Sequence, residues 1–318
     1  MGLKSIWRQI PSIVVCSVAR LAAACALVAV LGGVYVLAIR PSLLHWGATP
    51  AEIAAPLPED GIVAHPAFDA TRAITIHARP QAIWPWLAQM GYRRAGFYGY
   101  DPIEGLGNGG GIRSAQTILP QFQNPHVGDV LPISAVASLR FGPIAPGRSL
   151  VWEGVQSPPD GVYIWALQPL DAEHTRLISR IRWRYVPGAE GTALGVFTEF
   201  TDHVAVREIL RGVRDRAEGR PPKPLWMQWA ELCAWMLAFF ELALGLVLIL
   251  SGPRWPKAWL LALGAGLLLQ FVLYGPAPAW VDAILPWAYL ALLSCLLPRR
   301  HVTAPAASGT FRSASGCG

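Results

Sequence analysis

From Pro41 to Pro222 the chain contains no cysteine and no lysine. A stretch without cysteine fits an oxidising or a reducing compartment equally. CxxC pairs are missing from the whole chain, which removes zinc-ribbon and thioredoxin-like readings. No G-x-S-x-G elbow and no H-E-x-x-H pair occurs. Gly105 to Gly111 is glycine-rich, yet no Lys-Ser/Thr follows it and no strand-to-helix junction contains it, so it is not a phosphate loop. No catalytic set can be assembled from motifs. An excess of charge is lacking too: Pro41 to Pro222 holds 16 Arg against 17 Asp and Glu, a net of −1. A nucleic-acid reader needs a basic patch on its folded domain, and that class is excluded. The basic pI belongs to the flanks, which hold 10 basic and 3 acidic residues.

What the chain has in abundance is long apolar runs. Ser12 to Ile39, Trp226 to Leu250, Ala258 to Tyr274 and Ala277 to Leu297 each approach or exceed the roughly 20 residues that cross a bilayer as a helix. They divide the chain into an N-terminal tail and first span (1–40), a polar domain (41–222), three further spans (223–297) and an Ala/Ser/Gly-rich tail (298–318) that reads as disordered. Ala22-Ala23-Ala24-Cys25 faintly resembles a signal-peptide cleavage site, but the apolar run continues to Ile39, which favours an uncleaved anchor. Lys4, Arg8, Arg254, Lys257, Arg299, Arg300 and Arg312 collect on one side of four spans, predicting both termini in the cytoplasm and the large domain outside the inner membrane. Arg211, Arg214, Arg216, Arg220 and Lys223 pull the other way, although long translocated domains escape the rule.

Within the domain, Pro41 to Pro66 reads as an extended lead-in with Trp46 as an interfacial anchor. Thr71 to Ala78 alternates as a half-buried strand, and Pro80 opens a helix over Gln81 to Met90. Strand-like runs follow at Ala137–Gly142, Ser149–Gly154, Val162–Leu170 and Thr175–Val186, with a turn at Asp171-Ala172-Glu173. Thr198 to Glu218 has helical spacing. This order is an α+β plan in which a curved antiparallel sheet wraps one long helix.

A set of local motifs adds a family resemblance. They are Leu44-His45-Trp46-Gly47-Ala48-Thr49, Pro56-Leu57-Pro58, Thr71-Arg72-Ala73-Ile74-Thr75-Ile76, Ile83-Trp84-Pro85-Trp86-Leu87, Gln89-Met90-Gly91, Gly96-Phe97-Tyr98-Gly99-Tyr100-Asp101, Val127-Gly128-Asp129 and Leu210-Arg211-Gly212-Val213. In this order they resemble a membrane-anchored bacterial branch of the START/polyketide-cyclase-like SRPBCC superfamily, over roughly Leu44 to Gly219. The resemblance implies a helix-grip fold with a cavity between sheet and long helix for an apolar small molecule. It implies no reaction.

Trp84, Trp86, Phe97, Tyr98, Tyr100 and Asp101 form the candidate ligand site, aromatic walls with one carboxylate to orient a polar group. Packing of the loop, with Asp101 capping a helix at Pro102, explains the same residues. Trp165 and Trp183 join the site from strands on which Trp152, Tyr163 and Tyr185 also lie; period-two alternation turns half of such residues inward. Arg176, Arg180, Arg182 and Arg184 share one strand face, either an anion site or a solvated face paired with carboxylates. Glu199, Asp202 and His203 share one helix face, read as solvated because no second cluster completes a metal site. Arg20 and Glu241 lie at similar membrane depth and are an intramembrane ion-pair candidate, with Arg20 snorkelling as the alternative.

These features predict a membrane protein that binds, senses or hands over a hydrophobic molecule or lipid, with no cofactor, metal or nucleic acid. The competing classes are a cyclase- or hydrolase-type enzyme using Asp101 with a tyrosine, and a subunit that binds a protein partner through its spans. The orientation is checked with Ser157→Cys, in a domain loop: a membrane-impermeant maleimide should label it in intact spheroplasts, and labelling only after lysis refutes the topology.

Overall fold

The computed structural model of the protein describes residues 3–106, 113–251, 254–275 and 279–296. The Gly105–Gly111 loop beyond Leu106 and the C-terminal tail lie outside them. The first helix, α1 (Leu3–Val34), runs into a π-helical turn (Tyr35–Ile39) and then α2 (Arg40–Leu44), with α3 (Pro50–Ala54) following. After β1 (Phe68–Ile76) come α4 (Pro80–Ala88) and α5 (Asp101–Leu106), then β2 (Val130–Pro132), β3 (Ser138–Ala145), β4 (Ser149–Gly154), β5 (Gly161–Pro169) and β6 (Thr175–Trp183). The long helix α6 (Ala189–Ala217) leads to α7 (Leu225–Ser251), α8 (Trp255–Tyr274) and α9 (Ala279–Leu296).

The six strands form one antiparallel sheet in the order β1-β6-β5-β4-β3-β2. Strands β2 to β6 are a meander, and β1 closes against β6 with Ile74 opposite Leu177. Alternation sorts each strand into two faces. One face carries Ile74, Ile76, Leu150, Trp152, Trp165 and Leu177 and packs under α4 and the second half of α6, where Val206, Leu210 and Val213 complete the main core. All of the strand aromatics fall on this α6 side, because the register pairs Trp152 with Tyr163 and Gly161 with Trp183. A side chain at Gly212 would collide with the Tyr98 carbonyl, so glycine there lets α6 pass beneath the loop.

The opposite face is covered by the lead-in. Ala48, Leu57 and Ile62 pack over Ala73, Val151, Ile164 and Ile178. The arginine row fastens this cover. Arg176 grips Glu52, the residue that also completes the Thr49 capping box of α3. Arg180 bonds Thr71, Asp60 and the carbonyls of Glu52, Ile53 and Ala55, all within 2.5–3.0 Å. Arg182 reaches the Asp60 carbonyl at 2.6 Å. From Arg176 to Arg182 the face is therefore paired with carboxylates and covered, whereas Arg184 is exposed and donates to the Pro159 carbonyl; Trp46 packs on the core beneath Arg211.

Among the described residues three helices are long and apolar enough to cross a membrane: Val14–Leu44, Leu225–Ser251 and Trp255–Tyr274. The fourth apolar run forms α9, 18 residues from Ala279 to Leu296, and its described apolar stretch is Trp280–Leu293. Helices α7 and α8 approach closely, since a Cβ on Gly245 would lie 2.6 Å from that of Ala262. The Arg20–Glu241 pair is not formed. Arg20 reaches the Leu250 carbonyl at 3.5 Å, at the end of α7, and both Glu241 carboxylate oxygens are buried without a hydrogen-bond partner. Leu250 lies nine residues beyond Glu241, roughly 13 Å along a helix, so the two side chains occupy different depths.

Breaking the arginine clamp should be costly. Arg180→Leu strands Asp60 and three carbonyls, and should lower unfolding free energy by about 3–5 kcal/mol. Arg140→Ala, which removes a half-exposed partner of Glu153, should cost about 1 kcal/mol or less. Equal losses in chemical denaturation would show that the lead-in is not held by this clamp.

Candidate functional site

Helix α6 begins nine residues before the predicted start, and its two halves differ. The second half is buried against the sheet. The first half leaves Leu194, Val196 and Phe197 more than half exposed and Phe200 43% exposed. Between this first half, the segment after β6, the π turn and the end of α8 runs a groove of about 760 Å³. Its walls are mostly apolar, including Val36, Phe68, Val186, Leu269 and Leu273, with Arg40 and Glu199 at one side.

The π turn builds that polar side. Residues five apart on an α-helix are turned about 140° from each other, whereas an i→i+5 turn brings them nearly into line. Tyr35 and Arg40 thus both reach Glu199: the tyrosine hydroxyl donates at 3.1 Å, and the guanidinium donates to both carboxylate oxygens at 2.5 and 2.9 Å.

Behind Glu199 the network continues inward. His203, fully buried, lies 3.4 Å from Glu199 through Nε2 and 2.7 Å from the Arg72 guanidinium through Nδ1. A guanidinium only donates, so Nδ1 accepts and the imidazole proton sits on Nε2, facing Glu199. Arg72 is 1% exposed and also contacts Asp202 at 2.6 Å and the Leu43 carbonyl at 2.7 Å. Tyr163 donates to the other Asp202 oxygen at 2.9 Å. The Glu199-Asp202-His203 face is therefore not the solvated face its sequence suggests. Its partners are 39 to 164 residues distant in the chain, and no local spacing announces them.

Burial keeps His203 below the ordinary histidine value, with Arg72 acting in the same direction. Burial also opposes ionisation of Glu199, but the hydrogen bonds from His203 and Arg40 prevail and hold its carboxyl at about 2. Nδ1 of His203 is spent on Arg72, while Nε2 faces Glu199 at 3.4 Å without a hydrogen bond of good geometry. The arrangement fixes charge in place; it does not present a free base to the groove. Among the described residues no cluster of His, Cys, Asp or Glu could hold a metal ion.

The residues singled out from the sequence fall in three places. Trp86, Tyr98 and Trp165 are core, with Tyr98 donating to the Trp86 carbonyl at 3.0 Å and Trp165 stacked on Tyr163. Trp84, Phe97 and Trp183 are half-buried and pack on that core. Tyr100 meets Trp235 of α7 edge-on under Lys223. Asp101 accepts from the backbone and hydroxyl of Ser114 at 3.0 and 2.6 Å, so its carboxylate shapes the loop. Tyr98 and Asp101 also border a smaller polar pocket of about 340 Å³, shared with Glu208, Arg211, Arg216 and Lys223. Tyr98 has a left-handed backbone (φ +66°), held by the Ser114 hydroxyl on its amide and by Arg216 over its ring. Nearby, burial lifts the Glu104 carboxyl to about 7 against a bond from the Phe97 amide.

No family model matches this chain, and no curated protein matches it. Solved structures do. The Zhui aromatase/cyclase from Streptomyces sp. R1128 is 14% identical, with 47% of this chain and 93% of that one covered at a TM-score of 0.31. The Polyketide_cyc-like protein Cgl2372 from Corynebacterium glutamicum is 13% identical, covering 46% and 88% at 0.28. The conserved protein of unknown function EF2215 from Enterococcus faecalis is 13% identical, covering 48% and 74% at 0.29.

The network makes a pH prediction. The folded-state value of Glu199 lies below the ordinary carboxylate value of about 4.3. Its stabilisation is therefore fully present above about pH 5 and is lost as pH falls toward 2. The wild-type unfolding midpoint should fall more steeply from pH 5 to 2 than that of Glu199→Gln; parallel profiles would refute the role of Glu199.

Proposed function

We propose that this protein is a membrane-anchored binder of a hydrophobic small molecule or lipid, which it takes from the adjoining bilayer. The antiparallel sheet packed under the second half of α6 supports a helix-grip reading of the domain. Both termini lie in the cytoplasm and the domain stands outside the inner membrane in this reading, with α9 as the fourth crossing. The observation that carries the proposal is the apolar groove between α6 and the membrane helices. Leu37, Val186, Leu194, Val196 and Phe197 are exposed on the elements that form it, so apolar surface on the first helix and on α6 adjoins the groove. Pocket size agrees as well, since small-molecule sites occupy roughly 300–1,000 Å³.

Binding is favoured over catalysis by what surrounds the groove. A carrier needs an apolar lining and a mouth. An enzyme needs titratable groups converging on the ligand, and here Tyr35 and Arg40 are both bound to Glu199, while His203 is fully buried behind it against Arg72.

Val36 lines the groove and is 55% exposed, so enlarging it fills the groove without entering the core. The full chain, purified in mild detergent, should carry lipid-like ligand detectable by native mass spectrometry. Val36→Trp should lower its occupancy at least tenfold at an unchanged melting temperature. A ligand-free wild type that shows no thermal shift across a lipid panel, or full occupancy in Val36→Trp, refutes the proposal.

A further inference from the structure

Residues seven or eleven apart on an α-helix point within about 20° of one another. On α6 the face that carries Arg207 and Glu208 is the one fastened to the membrane helices. Arg207 donates to the carbonyls of Leu273 and Tyr274 at the end of α8, both at 2.7 Å. Lys223 ties Glu208 to Glu231, in the second turn of α7. Counted back along α6, Phe200 and Val196 share the direction of Arg207, and Phe197 shares that of Glu208. Phe197 stands roughly 15 Å along the axis from Arg207, farther than the roughly 10 Å diameter of the helix that Arg207 caps. The face therefore continues past the end of α8, and there Val196 and Phe197 are more than half exposed.

Two further features set the level of this face. Tyr35 and Tyr274, at the end of α8, meet with ring centroids 5.8 Å apart, and Tyr35 donates to Glu199 at 3.1 Å. The first half of α6 thus crosses where α8 ends. On the same side Trp226 and Trp229 open α7 and Trp280 opens α9, all exposed, as aromatic side chains are at a membrane–water interface. Ala193, Val196, Phe197 and Phe200 are exposed at this level and extend the belt, which Glu190 closes in the first turn of α6. From Tyr185 to Val206 there is no lysine or arginine, so attraction to anionic headgroups has nothing to act through.

We infer that the first half of α6 is an interfacial anchor, lying in the bilayer plane with Val196, Phe197 and Phe200 seated in the leaflet on the domain's side. The contact is apolar and indifferent to headgroup charge. It does not depend on the binding role proposed above, because Phe197 lies outside the lining of the groove and meets the bilayer whether or not the groove is filled.

Photocrosslinking on the full chain tests the anchor. Phe197 is replaced by p-benzoylphenylalanine, one exposed aromatic for another, and the protein is irradiated in phosphatidylcholine vesicles with and without phosphatidylglycerol. The same substitution at Ala54, exposed on α3 across the sheet from α6, is the reference. By mass spectrometry the lipid adduct at position 197 should exceed that at position 54 at least tenfold, be equal in the two vesicles, and persist when Val36→Trp fills the groove. Equal adducts at both positions, or none, leave the face in water and overturn the anchor. A chain-to-chain adduct overturns it in favour of a second copy. An adduct that needs phosphatidylglycerol overturns the apolar contact in favour of headgroup recognition. Loss of the adduct in Val36→Trp assigns it to lipid held in the groove, which overturns the anchor and supports the binding role. Where the variant at 197 does not fold, the same probe at Leu194, one turn earlier and also exposed, decides.

Discussion

The guanidinium of Arg72 joins three parts of the molecule that otherwise share little. It rises from β1, contacts Asp202 and His203 of α6, and donates to the last turn of α2 at Leu43. At 1% exposure it cannot be hydrated, so its charge is tolerable only while those contacts persist. Truncating it would leave Asp202 buried and uncompensated, the kind of loss that costs several kcal/mol. A lysine could balance the charge, but a single ammonium has no planar fork with which to serve a carboxylate, an imidazole and a carbonyl in three directions. The position of α6 over the sheet and the docking of the first membrane helix are therefore set at one point. The groove is the space left between the elements that Arg72 brings together.

The π turn works outward from the same point. A straight α-helix through residue 40 would present either Tyr35 or Arg40 to Glu199. The wider turn presents both, and Glu199 then hands the connection to His203 and Arg72. Charge at the polar side of the groove is consequently paired within the protein.

Much of the sheet was legible because local patterning dictates it. Ser149–Gly154 is the strand its residues predict, and β5 and β6 differ from prediction by one to three residues at their ends. The Asp171 turn closes through bonds that the amides of Glu173 and His174 donate to the Asp171 carboxylate, a local interaction. What escaped was long-range. Arg180 looks like one member of a solvated row until residues 52–60, more than a hundred positions earlier, fold over it. Glu199, Asp202 and His203 look like a wet helix face until Arg40 and Arg72 arrive. The start of α6 was missed for a different reason: Ala189 to Phe197 mixes glycine, threonine and apolar residues without an amphipathic stripe, since that stretch has no sheet to pack against. Val130–Pro132 was too short to show any period.

Helix α6 is fastened to the membrane helices at both levels of the junction. Arg207 donates to the carbonyls of Leu273 and Tyr274, which as the end of α8 lack intrahelical partners. Lys223 bridges Glu208 of α6 and Glu231 of α7, while Arg40 holds Glu199 from the side of the first helix. Charged bonds to three different helices oppose any rigid-body lift of the domain from the membrane. From Ala189 to Thr198, by contrast, only Gly191 is buried, so local opening there disrupts little packing. The least secured wall of the groove is thus the first half of α6, which can open without disturbing the packing of α6 on the sheet.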